Sequence, residues 1–380
     1  MHISKRLERF PENIFSSLAK EVKKVEEKSG RKAFDLSVGS PDFPPSGIYI
    51  EKLKEYISEP KSHLYPGFGA TPTFSDGLID WYKKRFNVAL SKEELFPLLG
   101  AKDGVAHIPM VLADEGDEIL VPNPGYPAFT GPALMMGCVI VPYSLSEEND
   151  FKLSLSEIEK KITSKTRMVW VNFPSNPTGQ VASLSEIEPL VALCKRKNIW
   201  LIYDNAYAEM TYDGYVAPSI LQIPGAKDIA VEIGSFSKMY SFAGYRMGWI
   251  VGNAQVIAAL AKVKSQLDSG MSRPLQQLAG YAFSHPDMAW HEKMITSYIE
   301  RKNILLRSIQ TIGLSAKDPK GALYLWARIP ESASDSYSFA QELLQKKHIV
   351  VTPGIAFGSN GERFVRISFC SDITRIADYL

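Results

Sequence analysis

Cysteine is scarce in this chain: Cys138, Cys194 and Cys370 are the only three among 380 residues. Their odd number and wide spacing exclude a disulfide framework and the paired spacing of a zinc site. Buried free thiols in a reducing compartment are the expectation. Charge of one sign is lacking as well, since 43 basic residues stand against 42 acidic ones, a formal +1. That balance makes no general electrostatic case for nucleic acid or an anionic membrane. The basic run Lys195-Arg196-Lys197 ends an amphipathic segment and reads as a solvated helix end. No run of roughly eighteen apolar residues occurs, so nothing reads as a membrane span. The opening Met1-His2-Ile3-Ser4-Lys5-Arg6 has none of the apolar core of a signal peptide. A cytoplasmic protein with neither nucleic-acid nor membrane partners is expected. Internal repeats and low-complexity tracts are also missing.

What is present is ordinary globular material, 45% hydrophobic and 22% charged. The length exceeds one compact core, so two domains, or one large domain with a smaller lobe, are expected. Residues 12–28 read as an amphipathic helix ended by Gly30, and 34–39 as a short strand. A proline-rich crossing between lobes follows, Ser40-Pro41-Asp42-Phe43-Pro44-Pro45. Gly39 before it suits either a close ligand approach or a plain turn. From residue 118 onward, apolar runs at 118–121, 139–141, 168–173 and 200–204 alternate with helical segments near 128–136, 155–162 and 184–197. This rhythm indicates an α/β layer with a mostly parallel sheet, whose ligands bind outside the carboxyl ends of the strands. Helical patterns return at 254–267, 273–283 and 288–312. Strands at 322–327, 349–351 and 364–369, with a helix at 336–346, then suit a separate α+β lobe.

One stretch carries unusual chemistry: Ser235-Phe236-Ser237-Lys238-Met239-Tyr240-Ser241-Phe242-Ala243-Gly244-Tyr245-Arg246. Apolar runs flank it and place Lys238 between two buried strands, where an unpaired ammonium is expensive. The hydroxyls and the arginine suit an anionic group, most simply a phosphate. A lysine beside a phosphate socket suggests a cofactor held covalently through an imine, and a plain polar loop is the other reading. Gly100-Ala101-Lys102 opens a helix, and the free N–H groups of Ala101 and Lys102 make a second anion site. The glycines of 65–72 do not form a dinucleotide fingerprint, because no strand precedes them and the third glycine is missing. Two strand ends lead into Asn176-Pro177-Thr178-Gly179 and into Asp204 and Tyr207. An N-cap or a turn would explain each alone. Arg366, inside an apolar strand, is either an ion-pair partner or a ligand anchor.

With Pro124-Gly125-Tyr126-Pro127 added, these pieces in this order resemble the class I/II aminotransferases, pyridoxal-phosphate enzymes of fold type I, over nearly the whole chain. Within that family, residues 100–107, 206–214 and 264–270 look most like the aspartate and LL-diaminopimelate branch. The resemblance implies an α/β fold: a large domain with a mostly parallel, mixed seven-stranded sheet flanked by helices, and a smaller α+β domain. It divides the chain into 1–40, an N-terminal segment with the first part of the small domain, 41–280, the cofactor-binding domain, and 281–380, the small domain. It implies pyridoxal 5′-phosphate and a ping-pong exchange of an amino group between an L-amino acid (aspartate-like, glutamate or diaminopimelate-like) and a 2-oxo acid. Lys238 would hold the cofactor and move the proton, and Asp204 would keep the ring nitrogen protonated. Asn176 and Tyr207 would donate to the ring oxygen, and Tyr126 would stack on the ring. Ser235, Ser237, Arg246 and the N–H groups of Ala101 and Lys102 would bind the phosphate. Arg366, with Gly39 and Asn176, would take the substrate carboxylate. A homodimer with shared sites is implied, with Tyr65 reaching the neighbouring subunit's phosphate. Two other readings stay open here: a β-elimination lyase with the same cofactor, and a non-catalytic cofactor-binding regulator. Lys102, Arg273 and Asn13 are the candidates for reading the substrate side chain.

Overall fold

The computed structural model describes residues 2–10 and 14–379. Its first strands are β1 (Phe34–Asp35), β2 (Leu95–Leu98), β3 (Glu118–Asn123), β4 (Val139–Ser144), β5 (Thr166–Asn172), β6 (Trp200–Asp204), β7 (Ala230–Ser235) and β8 (Gly248–Gly252). Five more follow: β9 (Ser315–Ala316), β10 (Tyr324–Arg328), β11 (Ile349–Val350), β12 (Thr352–Pro353) and β13 (Phe364–Ser368). The helices begin with α1 (Ile14–Ser29), α2 (Gly47–Ser58), α3 (Pro72–Phe86), α4 (Ala101–Leu112), α5 (Gly131–Met135) and α6 (Leu155–Lys161). They continue with α7 (Leu184–Lys197), α8 (Phe236–Met239), α9 (Ala254–Lys264), α10 (Arg273–Ser284), α11 (Met288–Ser308) and α12 (Ser336–Lys347).

Seven strands form one sheet in the order β2-β8-β7-β6-β5-β3-β4. β3 to β7 run parallel, and β8 is antiparallel to both β7 and β2. Their side chains alternate between two cores, with Val169, Val171, Leu201 and Tyr203 in one and Met168, Trp170, Ile202 and Ile233 in the other. A sheet covered on both faces is why these strands read as unbroken apolar runs. The helices that cover it carry their own start and stop signals. In α3, Thr71 Oγ1 accepts the Phe74 N–H at 3.3 Å and Pro72 takes the first position. Lys83, Lys84 and Arg85 fill its last turn before Asn87 ends it in the left-handed region at φ 55°. The run Lys195-Arg196-Lys197 is the last turn of α7, with Lys195 and Arg196 paired to Asp228 and Glu159 at the surface.

The small lobe holds an antiparallel sheet, β12-β13-β10-β9, around a core of its own, and β1 pairs in parallel with β11. Several expected elements change here for local reasons. The strand at 34–39 stops at Asp35, because Asp35 Oδ1 captures the Ser37 N–H at 2.8 Å and the Ser37 hydroxyl at 2.7 Å. The strand expected from residue 322 starts at Tyr324, since Ala322 sits at φ 62°. The strand expected at 349–351 stops at Val350, paired with β1, and a separate short strand, β12, follows it and pairs with β13. The expected helix at 288–312 ends at Ser308 and tightens into a 3₁₀ turn, and that at 254–267 ends at Lys264. The start of the helix expected at 12–28 lies outside the described residues, as does Asn13.

Candidate active site

Three neighbouring strands deliver side chains at their carboxyl ends. β6 ends on Asp204, which is only 5% exposed. β7 ends on Ser235, whose Oγ accepts the Ser237 N–H at 3.2 Å and starts the single turn of α8 that carries Lys238. β5 ends on Asn172, whose Oδ1 accepts the Asn176 N–H at 2.8 Å while its Nδ2 donates to the Asp204 carbonyl at 2.9 Å. That one buried amide ties the 174–179 turn to the end of β6. From the side, α4 begins at Ala101 behind Gly100, which has φ 81° and leaves no room for a Cβ beside the Arg246 guanidinium. Asp103 in its first turn is paired with buried Lys264 at 2.6 Å, which also reaches Asp268 at 2.6 Å. The small lobe closes the space with Arg366 of β13 and Tyr324 of β10.

Together these groups line a cavity of about 380 Å³ that brings in Gly39, Ala101, Lys102, Tyr126, Asn176, Asp204, Tyr207, Ser235, Ser237, Lys238, Arg246 and Arg366. Lys238 Nζ donates to the Gly39 carbonyl and lies 5.8 Å from the centre of the Tyr207 ring. Burial holds its ammonium below lysine's usual value, and the Arg366 and Arg246 charges push the same way against Cys370 and Asp204. The Asp204 carboxyl is pushed up to about 7 by burial, against the lowering effects of the Ala206 N–H and Lys238. Burial likewise keeps the Tyr126 and Tyr207 phenols protonated. Arg366 donates to Asn176 Oδ1 at 2.9 Å and to the Ser37 carbonyl at 2.7 Å, while its buried Nε has no partner among the described residues.

Tyr65 lies outside the cavity and is 83% exposed, and Arg273 lines a different depression beside the 66–73 loop. Tyr324 was not read from the sequence, because an apolar strand residue carries no signal of which lobe it will face. Asn172 also escaped, although an asparagine closing an apolar run was a visible signal.

The donor set suits pyridoxal phosphate on the evidence of its own unmet chemistry. The only side-chain hydrogen bond that Asp204 makes among the described residues is from the Ala206 N–H. A buried carboxylate without a directly bonded cation is unstable unless a ligand proton meets it. The Ala101 and Lys102 N–H groups begin a helix beside Arg246, a natural seat for a phosphate. Lys238 supplies an amine held toward its neutral form.

The family description aminotransferase class I and II matches residues 31–378, and the chain belongs to this family. It is similar to the LL-diaminopimelate aminotransferase of Dehalococcoides mccartyi strain CBDB1, 36% identical over 97% of this chain and 94% of that protein. It is 35% identical to LL-diaminopimelate aminotransferase 2 of Nostoc sp. PCC 7120 over the same shares. Among solved structures, apo-BacF of Bacillus subtilis superposes with a TM-score of 0.94 at 33% identity, over 100% of this chain and 97% of that one. An aspartate aminotransferase mutant of Thermus thermophilus superposes with a TM-score of 0.93 at 22% identity, over 100% and 98%, which speaks for the fold alone. Fold and family together make this protein a transaminase, an enzyme of small amino and 2-oxo acids. Among the described residues, no helix is long and apolar enough to cross a membrane.

Proposed function

We propose that this protein is a pyridoxal 5′-phosphate-dependent aminotransferase acting on an amino acid that carries a second, distal carboxylate, with an LL-diaminopimelate-like substrate as the first to try. The observation that carries the reading is Lys238 facing buried Asp204 in one cavity, with Arg366 entering from the other lobe. When bound, the cofactor supplies an electron sink that lets the Cα–H bond of an amino acid break as a proton transfer.

The chain's own residues do the rest. Lys238 Nζ would hold the cofactor and carry the proton, a task suited to an amine whose burial favours the neutral form. Asp204 holds the ring N–H. Arg366 donates to the Asn176 oxygen, which leaves the Asn176 Nδ2 to donate elsewhere; with Tyr207 it would hold the cofactor's ring oxygen. Tyr126 covers the ring face. Ser235, Ser237, Arg246 and the first N–H groups of α4 hold the phosphate. Arg366 grips the α-carboxylate, with the Gly39 backbone beside it; a methyl at Gly39 would strike the Tyr324 hydroxyl. Lys102 at the cavity wall supports the distal-carboxylate preference, together with the names of the relatives. A cytoplasmic homodimer completed by Tyr65 of a second copy, and the lobe boundaries 41–280 and 281–380, belong to the same proposal.

Borohydride treatment of the yellow holoenzyme should fix the cofactor's mass on the peptide containing Lys238. A tag elsewhere, or none, overturns the reading. A half-reaction screen over LL-diaminopimelate, aspartate, glutamate and neutral amino acids tests the substrate class, and equal rates with alanine or leucine would remove it.

A further inference from the structure

Tyr324 holds none of the roles assigned above, yet it touches three residues that do. Its hydroxyl lies 2.8 Å from that of Tyr207, and the two rings meet edge-on with centroids 5.9 Å apart. The Arg366 guanidinium carbon sits 4.3 Å from the centre of its ring. Gly39 passes so close to its hydroxyl that a Cβ there would collide. Tyr324 is 2% exposed and lines the cavity. β10 pairs antiparallel with β13 so that Trp326 stands opposite Arg366, which makes Tyr324 the diagonal neighbour of Arg366 across the pair.

We propose that Tyr324 is a positioning residue for transamination: it turns the Tyr207 hydroxyl proton toward the cofactor's ring oxygen and forms the flat seat on which Arg366 lies. The inference rests on the cofactor reading above. The proton count gives the direction. Each phenol has one proton, and one bond joins the two oxygens. Were Tyr207 the donor in that bond, it would have nothing left for the ring oxygen. Tyr324 therefore donates to Tyr207, and Tyr207 donates onward. Successive donors polarise one another, so Tyr207 becomes a stronger donor than it would be alone. Burial pushes the Tyr324 phenol up to about 12, and the charged and titratable groups that face it are Arg366, Cys370, Tyr207 and Tyr126. Phe357 offers a second ring 4.9 Å from the guanidinium. Arg366 is thus stacked against two aromatic rings while its edge is bonded to Asn176 and the Ser37 carbonyl, with Nε left unpartnered among the described residues.

Tyr324→Phe and Tyr324→Leu holoenzymes test this. The pH midpoint of the bound cofactor's visible absorbance reports the proton affinity next to the ring oxygen, and the amino-acid KM reports Arg366. In Tyr324→Phe the hydroxyl is gone and the ring remains, so the midpoint should rise by about half to one pH unit. Its KM should stay within about twofold of wild type, because the cation–π seat is intact. Tyr324→Leu should show the same rise and a KM increase of roughly tenfold. A Phe variant with the wild-type midpoint overturns the hydroxyl role, and a Leu variant with the wild-type KM overturns the seat. Either result leaves the cofactor on Lys238 and that reading intact. Wild-type protein without cofactor absorbance overturns both readings together. If Tyr324→Leu does not fold, the isosteric Phe variant still decides the hydroxyl role.

Discussion

Asp204→Asn should stabilise the cofactor-free protein, and more so at alkaline than at acid pH. In the native protein the Asp204 carboxyl is held at about 7, whereas an unfolded aspartate ionises near 3.9. Between those values the folded state keeps a proton that the unfolded chain has released. Stability is therefore highest below the unfolded value, declines as pH rises through the window, and has been lost above the folded value. The window spans about three units, or about 4 kcal/mol at 1.36 kcal/mol per unit. About 2 kcal/mol of that falls between pH 5.5 and 8.5. Asparagine does not titrate, so the variant escapes this loss. Lys238, whose affinity for protons burial lowers, is present in both proteins and cancels to first order in their difference. Thermal unfolding of both cofactor-free proteins at the two pH values provides the assay. The advantage of the variant should widen by roughly 2–3 °C at the higher pH for a chain of this size. An advantage of the same size at both values would refute the premise that Asp204 is buried without a protein cation to meet it.

Arg366→Lys removes a planar fork bonded to Asn176 and the Ser37 carbonyl; kcat/KM should fall about 100-fold with cofactor absorbance retained. A change under about threefold would show that the carboxylate is held elsewhere. Glu232, 1% exposed in β7, accepts bonds from the Tyr82 hydroxyl at 2.7 Å, the Ser219 hydroxyl at 2.7 Å and the Ile220 N–H at 2.9 Å. Glu232→Ala strands all three donors and should cost about 3 kcal/mol, lowering Tm by a few degrees, with Glu232→Gln milder. An unchanged Tm would refute it.

The sequence made the large sheet legible because strands buried on both faces announce themselves as apolar runs, as in β5 and β6. The residues at their carboxyl ends could be named for the same reason: Asp204 and the 176–179 turn follow such runs directly. The small lobe was harder to read. Its strand ends are set by single-residue events, the Asp35 side chain capturing Ser37 and the left-handed φ of Ala322, which no periodicity reports. α2 went unread because its amphipathic pattern is short and buries only Tyr49 and Leu53. Tyr324 entered the site through the meeting of two lobes, which depends on tertiary packing and not on any local pattern. Tyr65 is exposed and Arg273 lines a separate depression, and nothing in their local sequence tells such surface positions from cavity-lining ones.

The pairing of β1 with β11 has a consequence for synthesis. Phe34 and Asp35 wait for Ile349 and Val350. The seven-stranded sheet has all its strands once Gly252 is made, so Lys238 can be in place while its lid is still untranslated. At roughly 5–20 residues per second, the ribosome leaves a gap of about 5–20 s before β11 emerges. During that interval the nascent chain presents a reactive amine on a half-built wall. Tyr324 and Arg366, which line the same cavity as Lys238, are still unmade when Gly252 appears.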